Sequence, residues 1–477
     1  MTALMLFAAI DKPMVSEMQG AAGARELVCL DCHRRPNVNT NEGVATSRAF
    51  CFSCHATPES STRNLDDRNI SLQVEAASFQ NSPHRFVACV QCHTDVARSP
   101  HRTDMGAQCR DCHTVHGEGT ASAPHLRVDC QACHFTHEAV MQDGDTDRIR
   151  LAAIDGAGEM PPLTGRVDHA LQDTTDPETC RRCHHDQNAV GAPAAVLPAK
   201  SLLCVACHPA SWSLNHPLFM LAALALLVGL LLMVRFWFVG SVKGEDESLH
   251  QKIGLTSEAV WNTLFSRKVL IVLKTLLLDI FLQRRILKES VQRWSMHALI
   301  FVAIVVRFLL SVFTGVLFSL NPDGDLALAL IDKNHPFTAF FYDLSGLMIL
   351  LGIAWAAVQR FVVKPPHVLT EIKDNIALGL IGLLVVLGFV AAGARIAMTG
   401  IAPEVAVHSF IGYPLSRLMD LLPLDWRIVY PWLWYAHAVV GLAFIASLPY
   451  GKLKHVINVP LTYLLEEVDG TDKSKRV

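Results

Sequence analysis

The 477-residue sequence predicts a two-part protein, a loop-rich, mostly α domain crowded with cysteine and histidine, fused to an all-α bundle of five transmembrane helices. Three observations predict it. All 14 cysteines lie between Cys29 and Cys207. The long apolar runs lie almost entirely after residue 212. Charge divides at the same place: residues 1–216 carry 18 Lys and Arg against 25 Asp and Glu, a net of −7, and the rest carries 23 against 19, a net of +4. An acidic front and an apolar, mildly basic back cannot share one soluble core. No concentrated basic patch accompanies the front half, so nucleic acid is not an expected partner. The expected domains are residues 1–24, 25–212 and 213–465, with a tail over 466–477.

Residues 1–24 lack a basic n-region and hold one short apolar stretch, Ala3–Ile10. That predicts an export signal that is truncated or mis-started at this end, export driven by the first span being the alternative.

Over 25–212 every cysteine falls in the pentapeptide C-x-x-C-H. It occurs seven times: Cys29/Cys32/His33, Cys51/Cys54/His55, Cys89/Cys92/His93, Cys109/Cys112/His113, Cys130/Cys133/His134, Cys180/Cys183/His184 and Cys204/Cys207/His208. This is the c-type haem attachment motif. Two thiols at that spacing meet the two vinyl groups of one haem, and the adjacent histidine reaches the iron from one face. Zinc ribbons also pair C-x-x-C units, but seven is odd and a histidine after every unit would be unexplained. A disulfide framework has no reason to repeat this spacing, and a thioredoxin-like motif needs a βαβ context that is absent. Seven haem c groups are therefore expected.

Eight more histidines precede the membrane: His84, His101, His116, His125, His137, His169, His185 and His216. Seven bis-histidine haems need seven distal ligands, so supply nearly equals demand. His84, His101 and His125 each follow a proline just upstream of a motif. His116 and His137 follow their motif histidine by three residues, and His185 directly follows His184, so each would serve a neighbouring haem. His216, in Asn-His-Pro at the membrane surface, is placed to face the haem of Cys204 and Cys207. Six-coordinate irons carry electrons and leave no position open for substrate, which argues against a multihaem reductase of a small oxyanion. Residues 25–210 resemble the class III multihaem cytochromes c, related to cytochrome c3, in these motifs and in the CHH and CHxxH patterns.

Five charge-poor runs are each long enough to span, at about 20 residues apiece: Ser213–Val234, 294–320, 336–359, Asn375–Ala394 and Ile428–Gly451. Arg307 and Asp343 interrupt the second and third; a buried ion pair, contacts to haem propionates and a proton path are open alternatives for them. Residues 269–282 contain Lys274 and Asp279 and read as an interfacial amphipathic helix. The segments 241–293, 360–373 and 451–477 hold 9, 3 and 5 basic residues, against 1 and 2 in 319–335 and 401–429. By the positive-inside rule the first set is cytoplasmic. The cysteine-rich domain then lies in the periplasm and the C-terminus in the cytoplasm of a bacterial or archaeal inner membrane.

Histidines inside the spans are functional candidates. His437 and His455 are 18 residues apart, so one continuous helix would set them on one face about 27 Å apart, near opposite membrane surfaces. His297, at the cytoplasmic end of the second span, is level with His455, and the two could hold a b-type haem. The stretch WYAHAVVGLAFIASLPYGKLKHVINVPLTYL (434–464) resembles the last span of the respiratory nitrate reductase gamma subunit family. That family, with relatives in heterodisulfide reductase and dissimilatory sulfite-reduction membrane complexes, is a five-helix dihaem cytochrome b that handles quinol. The resemblance covers about 217–465 and implies haem b ligands at His437, His455 and His297, the last in Trp294-Ser-Met-His-Ala-Leu-Ile-Phe. The family's second ligand on helix two falls on Arg307. The outer site then has His437 with His335 or His408 as partner, or is lost, so one or two haem b are expected.

The function expected is a membrane-bound b/c-type cytochrome linking the quinone pool to periplasmic cytochromes or a reductase, with menaquinol as the reductant. His335, Glu404 and His408 are the candidate proton acceptors at the quinol site. The alternative is a non-catalytic conduit that takes electrons from a cytoplasmic iron–sulfur subunit docked on 241–293.

Overall fold

The computed structural model describes residues 40–57, 62–65, 68–71, 73–93, 109–113, 123–135, 140–144, 148–151, 171, 177–239, 248–364 and 371–473. The candidate ligands Cys29, Cys32, His33, His101, His116, His137 and His169 lie outside them. The chain divides into two compact units. The first comprises Met1–Cys112, Cys130–Ala139 and Leu151–Asp173; the second comprises His113–Asp129, Val140–Arg150 and Thr174–Val477. Contacts therefore divide the chain upstream of residue 212, and the motifs of Cys180 and Cys204 fold with the membrane bundle.

The first unit is built from short elements. Helix α1 (Asn41–His55) begins where the Thr40 hydroxyl accepts the Gly43 N–H at 3.0 Å, the usual N-cap solution for an orphan donor. An antiparallel pair, β1 (Thr62–Leu65) and β2 (Arg68–Ser71), follows, then α2 (Ala76–Asn81) and α3 (Cys89–Cys92). Phe52 meets Phe79 edge to face at 6.1 Å, tying α1 to α2. Helix α4 (Cys130–His134) completes the described helices of this unit.

In the second unit α5 (Pro177–Arg181) precedes the bundle. The first span is α6 (Pro217–Trp237). It starts four residues later than its apolar run because Pro217, which has no N–H to leave unpaired, occupies the first turn. Helices α7 (Leu249–Leu264), α8 (Lys268–Thr275) and α9 (Arg284–Glu289) lead to the second span, α10 (Val291–Leu320). The third span joins short α11 (Asp325–Ile331) to α12 (Pro336–Ala357) and a closing π-type turn, and α13 (Ile372–Thr399) is the fourth. After α14 (Pro403–Ala406) and α15 (Gly412–Met419), the fifth span is α16 (Trp426–Ser447), and α17 (His455–Lys473) follows. Among the described residues, five helical stretches are long and apolar enough to cross a membrane. The segment 269–282 is not one of them: α8 runs into a π-type turn whose Asp279 is buried and paired with Arg284 at 2.7 Å.

The bundle core is Ala303, Ile349, Ile381, Leu384, Val385, Phe444 and Ile445. The outer faces carry exposed Leu224, Leu227, Leu231, Leu309 and Leu383, which a hydrocarbon environment accepts.

One expectation fails here. The last span does not continue from His437 through His455. Helix α16 ends at Ser447 and α17 begins afresh at His455. Pro449 lacks the donor a continuing helix needs, and Gly451 follows it. The turn is held from the first span: the Tyr450 hydroxyl donates to the Ala225 carbonyl at 2.6 Å. A Cβ on Gly229 would lie 2.3 Å from the Pro449 ring and 2.7 Å from the Tyr450 ring. Gly229→Val should therefore overpack this joint and remove about 2 kcal/mol of stability, read as a lower thermal unfolding midpoint in detergent. Gly254→Ala, placed where a Cβ meets nothing within 4 Å, should leave that midpoint unchanged.

Candidate functional site

Each described C-x-x-C-H motif closes a helical turn. The N–H of His93 donates to Cys89 O at 2.8 Å, that of His184 to Cys180 O at 3.0 Å and that of His208 to Cys204 O at 3.1 Å. The second-cysteine N–H groups of Cys112, Cys183 and Cys207 likewise donate to the first-cysteine carbonyl, at 3.3, 3.2 and 3.0 Å. Cys51, Cys54 and His55 occupy the last turns of α1, and Cys130, Cys133 and His134 make up α4. Residues three and four apart share a helix face, so in each turn both thiols and the imidazole can address one planar group. All 12 described cysteines are free of disulfides. Motifs also abut: Cys51 hydrogen-bonds Cys89, which brings the Cys89 thiol down to about 7, and Cys130 does the same to Cys109 but raises its pKa.

Three histidine pairs face one another in the second unit. His125 and His184 have ring centres 6.1 Å apart, His208 and His437 6.3 Å, and His297 and His455 6.4 Å. Two imidazoles on opposite sides of one metal ion, each nitrogen about 2 Å away, place their ring centres about 6.3 Å apart. The rings are also oriented. His184 donates from Nδ1 to Pro193 O at 3.0 Å, His437 to Leu384 O at 3.1 Å, and His455 to Lys452 O at 2.7 Å. His297 donates from Nδ1 to the Gln283 side chain at 3.1 Å. Such bonds leave Nε2 as the metal-facing nitrogen.

Distinct elements aim these rings. His184 follows α5, and the loop after it is fixed by buried Asn188, whose amide donates to His185 O and Ala192 O at 2.8 Å each. Ala194 N then donates to Arg427 O at 2.9 Å, seating the loop on the fifth span. Gln283 is 3% exposed and adopts a left-handed φ of 55°. A non-glycine residue held there stores strain, and what it secures is the bond to His297.

The remaining candidates lie elsewhere. His84 sits in the 3-10 turn Pro83–Phe86 just ahead of α3. His185 is exposed and donates from Nδ1 to Asp186 O at 2.7 Å. His216 accepts the Leu218 N–H at Nδ1 (3.4 Å) and packs on Phe219 and Tyr435. The ring facing His208 is that of His437. His335 precedes α12 with a buried Nδ1 that has no partner among the described residues, His408 bonds Val405 O at 3.2 Å, and Glu404 is exposed at the start of α14.

Arg307 and Asp343 do not form an ion pair. Asp343, 4% exposed, accepts Ser409 Oγ at 2.9 Å, Ile411 N at 2.7 Å and Gly412 N at 3.1 Å through one oxygen. Arg307 donates to Ser345 Oγ at 2.6 Å and to Tyr342 O. Sequence reasoning also missed Lys200 and Lys333, which with Arg307 act electrostatically on the His208/His437 pair, and Arg395, which acts on both lysines. The only sequence signal was a basic residue in otherwise base-poor outer segments.

The model of the family "Nitrate reductase gamma subunit" matches residues 308–469. The E subunit of dihydromethanophenazine:CoB–CoM heterodisulfide reductase from Methanosarcina mazei is 33% identical over 202 residues, 40% of this chain and 67% of the relative. Its counterpart from Methanosarcina thermophila is 30% identical over 197 residues, 40% of this chain and 66% of the relative. The chain thus spans about two thirds of the length of these relatives. The high-molecular-weight cytochrome c of Nitratidesulfovibrio vulgaris is 23% identical over 171 residues, 33% of this chain and 28% of the relative. No solved structure matches the chain.

Asp343→Ala should leave Ile411 N, Gly412 N and Ser409 Oγ unpaired in a buried site and cost about 3 kcal/mol. The check is thermal unfolding in detergent, with Asp343→Asn, which retains an acceptor oxygen, falling between the variant and the parent.

Proposed function

We propose that this chain, whose membrane region belongs to the nitrate reductase gamma subunit family, is a membrane-bound b/c-type multihaem cytochrome that passes electrons between a quinone pool and acceptors outside the membrane. The membrane electron-transfer character rests on the five spans and the family match. The observation that carries the finer reading is the His297/His455 pair at 6.4 Å, both rings held through Nδ1. It fits a non-covalent b-type haem; the helical turns of the six described C-x-x-C-H motifs fit covalent haem c, and the same spacing at Cys29, Cys32 and His33 makes seven such groups in this reading.

Haem at these sites supplies reversible one-electron chemistry. The chain's residues supply the rest. His297 and His455 fix the inner ligand set, and Gln283 orients His297. The substrate is menaquinol, which releases two electrons and two protons per molecule oxidised. His335, whose buried Nδ1 has no partner among the described residues, is the first proton acceptor to consider, with Glu404 and His408 on the connection that follows the fourth span. In this reading the motif-bearing half lies in the periplasm of an inner membrane, delivering to periplasmic cytochromes or a reductase, and 466–477 is cytoplasmic.

A second reading is favoured by one observation. On the segment between the first two spans, Trp261 of α7 is 63% exposed and Phe265, just after it, 71%, and the heterodisulfide reductase relatives are named as subunits. A cytoplasmic iron–sulfur partner seated there would make the chain a conduit with no quinol chemistry of its own.

Purified full-length protein should show reduction of its c-type bands on addition of a menaquinol analogue. Lack of reduction by several quinols, with reduction by a copurified iron–sulfur partner, would replace the first reading with the second. His297→Ala should remove the non-covalent haem, read as loss of b-type pyridine haemochrome with the c-type signal unchanged.

A further inference from the structure

Among the described residues, four cations cluster around the last C-x-x-C-H turn. Lys200, Lys333 and Arg307 all act electrostatically on His437, Lys200 and Lys333 act on His208, and Arg395 acts on both lysines. Arg395 is 7% exposed, donating to Asn334 Oδ1 at 2.7 Å, and Lys200 donates to Pro209 O at 3.3 Å. Burial brings the Lys200 ammonium down to about 8. None of the four makes an ion pair among the described residues. Of the acids in range, Asp343 is engaged by two backbone N–H groups and a hydroxyl, and Asp332 accepts the Asn334 N–H at 2.9 Å. Arg395 is buried and Lys200, Arg307 and Lys333 are half-buried; four cations withdrawn from water with no ion-pair partner are costly, so this cluster is built for an anion.

The same place holds two thiols and two facing imidazoles. Cys204 and Cys207 lie on one turn with His208. His437 comes to it from the fifth span, with rings 6.3 Å apart and inclined by 25°. Gly388 on the fourth span makes the room: a Cβ there would lie 3.3 Å from His437 Cε1. A planar dianion with two vinyl groups and an iron meets every one of these features.

We infer that the haem attached at Cys204 and Cys207 is itself the outer haem of the membrane bundle, with His208 and His437 as axial ligands and Lys200, Arg307, Lys333 and Arg395 neutralising its propionates. The inference rests on the proposed haem c reading of the motifs and deepens it. On attachment each thiol adds S–H across one vinyl double bond, so the sulfur bonds carbon, the hydrogen stays on the adjacent carbon and no oxidant is needed. His437 is thereby unavailable to a b haem, Arg307 needs no histidine in its place, and the bundle carries one b haem. The c-haem relay begins inside the bundle and requires no hop from a non-covalent outer haem.

The full-length protein, matured in a host that attaches haem c, decides this by pyridine haemochrome. Seven c to one b is expected; seven c to two b would overturn the inference while leaving the multihaem reading intact. No covalent haem at all would overturn that reading as well, so the two failures are distinguishable. In His437→Met, one c haem should acquire the sulfur-to-iron charge-transfer band of His/Met ligation with the b content unchanged. Loss of b haem without that band would sink the assignment. If this variant does not fold, the haem ratio of the unmodified protein still decides.

Discussion

Facing imidazoles at a metal-spanning distance are the constraint on which the rest of this structure depends. Rings at 6.1–6.4 Å are too far apart to hold one another. Four of the six are fixed from behind, His184, His437 and His455 by a carbonyl and His297 by the Gln283 side chain, and the two rings of each pair come from different elements. The loop around Asn188, the break at Pro449 and the strained backbone of Gln283 are the consequences. Pro449 stops the fifth span, the joint locks against Gly229 of the first, and His455 then opens a new helix beside His297.

The membrane setting sharpens every polar choice. Where water is absent, each hydroxyl and backbone group must find a partner within the protein. Thr314 therefore returns its hydroxyl to Leu310 O at 2.8 Å and Ser345 to Phe341 O at 2.7 Å, the i−4 bonding typical of helix-interior hydroxyls. Asp343 follows the same rule: its charge is spent on the amides that open α15, and the neighbouring Arg307 is left to the cation cluster. Charge of one sign, concentrated without an internal partner at the edge of an apolar bundle, marks the place where the proposed anionic group belongs.

Much of the protein was legible before any coordinates. The five spans follow from apolar runs, because a helix in hydrocarbon can satisfy its backbone only within itself. The motif turns follow from spacing alone, since cysteines three apart and a histidine one further fall on one helix face. The His297/His455 juxtaposition was also legible, from their level at the cytoplasmic ends of their segments. It emerged even though the continuous helix assumed for His437 and His455 does not exist.

What the sequence determined by itself was therefore local and periodic: which residues form the spans, which turns present thiols and imidazole together, and which half of the chain carries them. Tertiary structure alone decided the pairings. His216 is nearer in sequence to His208 than His437 is, yet the ring facing His208 is that of His437. Lys200, Arg307, Lys333 and Arg395 come from four separate segments, and no spacing rule links them. Such choices depend on how segments far apart in the chain pack, and one-dimensional pattern holds no record of that.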